Sequence, residues 1–145
     1  MIRQLKQNGL VLKIKDELHD LLSCEIKYSK DRKRAWLGQP YLISNLEKKF
    51  GDQVKGLQTY KTPGTPGLNM VHNTDPKHAL SQEKHKLFCS GVGMLIWLDK
   101  HLQPDIANCV RKLSKVLDGT TEASYKEMLC AIKYVMDSCN LGLKI

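Results

Sequence analysis

The chain has 145 residues, with 23 Lys and Arg against 15 Asp and Glu and a formal net charge of +8 at pH 7. This length suits one domain with a modest core, and a hydrophobic share of 41% argues against wholesale disorder. No apolar run approaches the roughly 18 residues that span a bilayer, and the polar start MIRQLKQNGL lacks the apolar core of a secretory signal.

The five cysteines indicate a reducing compartment. Their spacings give neither Cys-x-x-Cys pairs nor a disulfide framework, so we expect reduced, mostly buried thiols. The five histidines show no usual metal-ligand spacing, and no metal site is expected. These features predict a cytoplasmic or nuclear protein that is not secreted and has no membrane partner.

Short strands are predicted in the first forty residues. Residues 10–14 alternate in hydrophobicity after the Asn8-Gly9 turn, which predicts a strand. Leu22 to Tyr28 and Ala35 to Leu37 then read as two strands around a charged turn, Ser29 to Arg34.

A short helix and a long loop follow. Pro40 suits an early helical position, and we expect the helix to end at Gly51. Its apolar face carries Leu42, Ile43, Leu46 and Phe50. From Gly56 to about Ala79 the chain is rich in Pro, Gly, Thr and Asn, which predicts a long surface connection with Pro-Gly turns at 63–64 and 66–67.

The remainder is predicted to be helical. Ser81 can cap a helix in which Gly91 and Gly93 permit close packing. The expected core face of this helix carries Leu87, Gly91, Leu95 and Leu98.

Two more helices complete the predicted fold. Pro104 suits the first turn of one helix, which should end at Gly119, and Thr120 or Thr121 can cap the last helix. Their core faces are Ile106, Val110, Leu113 and Leu117, then Met128, Leu129, Ile132, Val135 and Met136, with Asn140 and Gly142 as the stop. The fold class is therefore α+β: a small antiparallel hairpin region followed by three to four packed helices.

The densest charge lies in the predicted hairpin. Five cations occur within eight residues, flanked by two aromatic residues: Lys27, Lys30, Arg32, Lys33 and Arg34, with Tyr28 and Trp36. Basic side chains beside aromatic rings suit phosphate neutralisation and stacking on a base or sugar. The alternative is a solvated hairpin tip with Trp36 packed inside.

A nucleophile–base pair is conceivable elsewhere, because His85 and Cys89 are four residues apart on one predicted helix face. No orienting acid is evident, so we expect Cys89 to be a partly buried structural thiol. Asp105, directly after Pro104, suits a helix terminus better than a general base.

Four segments resemble, in order, copia-type retrotransposon polyproteins at the C-terminal part of the reverse transcriptase, before ribonuclease H. They are KDELHDLLSCEI (15–26), AWLGQPYLISNLEKKFG (35–51), YKTPGTPG (60–67) and the run from Ser90 to Gly119. Just before the last segment Phe88 matches the family, and within it the matching residues are Ser90, Val92, Gly93, Leu95, Trp97 and Leu98, then Pro104, Asp105, Ile106 and Ala107.

The resemblance implies one partial reverse-transcriptase domain over residues 1–145. Residues 1–55 would hold the palm end, the primer-grip hairpin and a first thumb-like helix, residues 56–79 the loop, and residues 80–145 the helical part. The implied partners are an RNA/DNA template–primer duplex and the rest of the polyprotein, namely its palm and ribonuclease H. The implied contact residues are Lys27, Lys30, Lys33, Arg34 and Trp36 on the grip, with Lys48 and Lys49 on the clamp or simply on a solvated helix face.

Departures from the family argue against catalysis by this chain. No Asp-Asp pair occurs, so the Tyr-x-Asp-Asp polymerase motif is absent, and the ribonuclease H carboxylates would follow the last residues. Gln103 and Cys89 replace family arginines. No cofactor is expected here, although the full-length family enzyme would need Mg²⁺. A stand-alone, non-catalytic RNA- or DNA-binding module and a decayed remnant without function are the alternatives.

Overall fold

The computed structural model describes residues 20–21, 24–138 and 143–144. Its strands are β1 (Asp20–Leu21), β2 (Cys24–Tyr28), β3 (Ala35–Gly38) and β4 (Leu143–Lys144). Its helices are α1 (Pro40–Val54), α2 (Gln82–His101), α3 (Ala107–Ser114) and α4 (Glu122–Asp137), with 3₁₀ turns at Pro76–His78 and Pro104–Ile106. The α+β class is as predicted. The strand predicted at residues 10–14 and the stop at Asn140 and Gly142 lie outside the described residues.

The strands form one antiparallel sheet in the order β1-β2-β3-β4. In the β2–β3 hairpin, Ile26 is opposite Leu37 and Lys27 is opposite Trp36. Side chains alternate between the faces of a strand, and here Ile26 is buried while Lys27 is exposed. The inner face contacts α1, so the hairpin is joined to the helical part.

Helix α1 begins at Pro40, as predicted, but the predicted end at Gly51 is wrong. The helix continues for another turn, and the Lys55 N–H donates to the Gly51 carbonyl at 2.9 Å. Val54, in that extra turn, is buried in the core. A glycine inside a helix costs about 1 kcal/mol, and burial of a valine side chain contributes about 1.5 to 3 kcal/mol, which more than offsets that cost.

Helix α2 is capped by Ser81, as predicted, because the Ser81 side chain accepts a hydrogen bond from the Lys84 N–H. Gly91 does permit close packing. A Cβ there would collide with Met128 Sδ and would lie 3.1 Å from Phe50 Cζ. The same expectation for Gly93 is wrong, because no neighbouring atom lies within 4 Å of a Cβ built there.

Helix α3 differs from its predicted bounds at both ends. Pro104 opens a 3₁₀ turn that precedes α3, and α3 ends at Ser114 rather than at Gly119. Gly119 serves a different purpose: a Cβ there would lie 2.6 Å from the backbone of Asn73, whose N–H donates to the Gly119 carbonyl. This glycine lets the long loop approach the turn after α3.

Helix α4 is capped by Thr121, whose side chain accepts from the Ser124 N–H. Its apolar face closes one core formed by all four helices. The largest fully buried apolar side chains of this core are Phe50, Phe88, Leu46, Leu95, Leu98, Ile106, Leu113, Met128 and Ile132.

Candidate nucleic-acid interface

The turn between β2 and β3 is held by its own hydrogen bonds. The Ser29 N–H donates to the Arg34 carbonyl at 2.9 Å, and the Arg32 N–H donates to the Ser29 carbonyl at 2.9 Å. Asp31 accepts from the Ser29 hydroxyl and from the Lys33 N–H. Arg32 has a φ of 55°, in the left-handed region that closes tight turns.

Asp31 therefore organises the turn. The Ser29 hydroxyl, followed by the Lys33 N–H, holds the pKa of this exposed carboxyl below its usual value. The turn presents one carboxylate against four cations, because residues 30–34 read KDRKR. Lys30, Lys33 and Arg34 are exposed, so the hairpin tip is a compact positive surface.

Trp36 lies beside this charge on the outer face of the hairpin. Its side chain is 38% exposed, which contradicts the alternative in which Trp36 is packed inside. Its partner across the strands is Lys27, whose ammonium lies 3.1 Å from the Glu25 carboxylate. Both groups of that pair are exposed, and a surface pair of this kind contributes little and is screened by salt.

The other two predicted contact residues lie on α1. Lys48 is exposed, while the Lys49 ammonium donates to Ser90 Oγ on α2 at 2.6 Å. That hydrogen bond ties Lys49 to the neighbouring helix. The five hairpin residues thus form one surface, and Lys48 and Lys49 belong to a different element.

Sequence reasoning missed a second basic surface, between α2 and α3. It is an open groove of about 430 Å³ with an apolar floor that includes Ile96 and Val110. Its charged rim consists of Lys100, Arg111 and Lys115, with Asp99 as the one carboxylate. Arg111 and Lys115 are four residues apart, a spacing that places two side chains on the same side of a helix, so the sequence could have indicated this part of the basic surface. The contribution of Lys100 depends on how two helices pack, which local spacing does not reveal.

Two polar groups of the helical part, Tyr134 and Cys109, are held in packing contacts. The Tyr134 hydroxyl donates to Asp105 Oδ2 at 2.7 Å, and this hydrogen bond raises the pKa of Tyr134. Burial, helped by the nearby Glu127 carboxylate, raises the pKa of the Cys109 thiol to about 12. In the described part of the chain no three His, Cys, Asp or Glu residues gather into a group that could hold a metal ion.

Comparisons with protein-family models, curated proteins and solved structures find no match for this chain. Across the described residues, no helix is both long enough and apolar enough to cross a membrane. We therefore infer a function from the chemistry of the candidate site, a hydrogen-bonded basic turn with an exposed indole beside it.

Proposed function

We propose that this chain binds RNA/DNA template–primer duplexes without catalysing a reaction, as the primer-grip and thumb part of a copia-type reverse transcriptase. The β2–β3 hairpin carries the proposal, because it combines four cations in one turn with the exposed ring of Trp36 on the adjacent strand. The rest of the polyprotein, including its palm, is the proposed protein partner, and Mg²⁺ belongs to that catalytic part.

The chemistry of the hairpin favours the backbone of a nucleic acid over its sequence. Exposed Lys and Arg side chains neutralise phosphates and release counterions, which makes binding strong at low salt and indifferent to sequence. An indole supplies a stacking surface for an unpaired base or a sugar. The hydrogen bonds within the turn hold its backbone in place before binding, so little backbone entropy is lost on association.

The test is fluorescence anisotropy with a labelled RNA–DNA hybrid, a DNA duplex of the same length and single-stranded RNA, over about 50 to 200 mM salt. The hairpin variant replaces Lys30, Lys33 and Arg34 with Ala. A matched control removes three exposed lysines elsewhere, Lys55, Lys61 and Lys126. Both variants lose the same charge, so a difference between them reports position rather than net charge.

The hairpin variant should bind more weakly and have a flatter salt dependence. The slope of log K against log salt should fall by about one for each phosphate that the variant no longer neutralises. The control should stay close to the unmodified chain. Equal losses in the two variants would mean non-specific attraction and would refute the hairpin interface. A third variant, with Lys100, Arg111 and Lys115 changed to Ala, tests the groove between α2 and α3. If only this variant loses affinity, the groove and not the hairpin is the interface.

One observation favours a second candidate, a stand-alone RNA- or DNA-binding module. A grip hairpin separated from its palm would expose its inner face, yet Cys24 and Ile26 are 6% and 8% exposed within this chain. Sequencing of the transcript across Met1 and Ile145 separates the two candidates. A frame that continues into a Tyr-x-Asp-Asp hairpin supports the polymerase, whereas stops on both sides support the module.

A further inference from the structure

A nucleophilic side chain of α2, Cys89, lies outside both the hairpin and the groove. Cys89 on α2 is exposed, which corrects the expectation of a partly buried thiol. Its Sγ lies 3.6 Å from Nε2 of His85, one helical turn earlier, within the range for a hydrogen bond to sulfur. A thiol in contact with a base is the arrangement that generates a thiolate.

The structure also shows a group that orients His85, which the sequence alone did not reveal. His85 Nδ1 lies 3.3 Å from Thr120 Oγ1. The hydroxyl of Thr120 has a single proton, which it donates to the backbone carbonyl oxygens of Val116 and Leu117, each 3.0 Å from Oγ1. Toward His85 the hydroxyl can therefore only accept, so Nδ1 carries the ring proton and Nε2 presents a lone pair to Cys89.

The approach to Cys89 is open on the side away from His85. A helical side chain covers the surface over the turn before its own Cα, so residue 93 is the one that would cover Cys89. That residue is Gly93, and no neighbouring atom lies within 4 Å of a Cβ built there. Its lack of a side chain, unexplained by packing, leaves the sulfur accessible to a small molecule.

We propose that Cys89 is a nucleophilic thiol that forms a mixed disulfide with small-molecule disulfides, with His85 as its base and Thr120 as the residue that positions His85. His85 Nε2 takes the thiol proton, and the Cys89 sulfur attacks one sulfur of the incoming disulfide. A new S–S bond forms as the old one breaks. The departing thiolate takes the proton back from the imidazolium, so one disulfide is exchanged for another with no other oxidant.

The experiment measures the reaction of the full, reduced chain with dithiodipyridine, with each cysteine followed by peptide mass spectrometry. Cys89 should react about tenfold faster than the half-buried Cys130, and His85→Gln should slow Cys89 by about tenfold. His78→Gln removes an exposed histidine elsewhere and should change nothing. Thr120→Ser keeps the hydroxyl and should retain the fast rate, whereas Thr120→Val should lose it.

Buried Cys109 serves as the internal measure of folding, because its labelling rises if a variant unfolds. A His85→Gln protein that keeps Cys109 protected and Cys89 fast would overturn the proposal. The tautomer gives a test without substitution: long-range proton–nitrogen NMR correlations of the unmodified chain should show the proton of neutral His85 on Nδ1. A proton on Nε2 would also overturn the proposal, because that nitrogen would then have no lone pair for the thiol.

Discussion

Glu127 on α4 accepts both hydrogen bonds that Thr65 can donate, from its N–H at 2.6 Å and from its hydroxyl at 2.8 Å. The Glu127 residue is only 6% exposed, and the two partners are 62 residues apart in the chain. Their contact holds residues 62–67 against α3 and α4, across a cavity of about 320 Å³. The Pro/Gly loop is therefore fixed to the helical core at its middle.

Replacing Glu127 with Ala should lower the free energy of unfolding by about 1 to 3 kcal/mol, because the two hydrogen bonds that this carboxylate accepts from Thr65 are lost. Lys126→Ala, at the exposed neighbouring position, should change it by less than about 0.5 kcal/mol. Urea denaturation followed by circular dichroism measures both variants. Equal stabilities of the two variants would show that the contact does not anchor the loop.

The two glycines of α2 should respond in opposite ways to the same substitution. Gly93→Ala should raise the free energy of unfolding by up to about 1 kcal/mol, because alanine favours the helix and the space around this position is open. Gly91→Ala should lower it by about 1 to 3 kcal/mol, because the new methyl group collides with Met128 and crowds Phe50. Thermal unfolding of the pair measures this; shifts of the same sign would contradict the packing.

The elements that sequence predicted well carry local signals. Two short apolar runs around a charged turn indicated the hairpin, and hydroxyl residues indicated the start of α2 at Ser81 and of α4 at Thr120 or Thr121, of which the structure has Thr121. Such signals need only a few neighbouring residues. Most of the core faces of the helices followed from a 3.6-residue period for the same reason, although the predicted face of α2 omitted Phe88 and Val92, which are fully buried.

The predictions that failed depended on distant contacts. Gly51 and Gly119 both resembled helix stops, yet the first lies inside α1 and the second makes room for Asn73 of the loop. A glycine at a helix end and one at a close approach are the same letter in the sequence. The candidate site shows the same division: the basic hairpin was visible in the sequence, but the place of Lys100 beside Arg111 required the packing of α2 against α3.

Stability should fall at alkaline pH because of Cys109. An unfolded cysteine ionises near 9.0, whereas burial keeps the folded thiol protonated until about pH 12. Its contribution is fully present below pH 9.0 and is lost as the pH rises from there, because only the unfolded state gains a charge.

The free energy of unfolding should therefore decrease by about 1 kcal/mol between roughly pH 8 and pH 10. Cys109→Ala should begin less stable and show a flatter pH dependence. Denaturation at a series of pH values measures both. An unchanged slope in this variant would assign the alkaline loss to other groups, the first of which are Tyr60 and Tyr134, whose pKa values are also raised.

Trp36→Ala should weaken binding to nucleic acid by about 1 to 3 kcal/mol, because the variant loses a stacking surface for one base. Trp36→Phe keeps an aromatic ring and should retain most of the affinity. The loss should be larger for an RNA–DNA hybrid with a single-stranded overhang than for a blunt one, since paired bases already stack on each other.

Neither Trp36 variant changes the charge, so the salt dependence should stay that of the unmodified chain, unlike that of the Lys30, Lys33 and Arg34 variant. Anisotropy titrations at several salt concentrations measure all of this, and full affinity of Trp36→Ala for the overhang would show that the exposed indole does not stack.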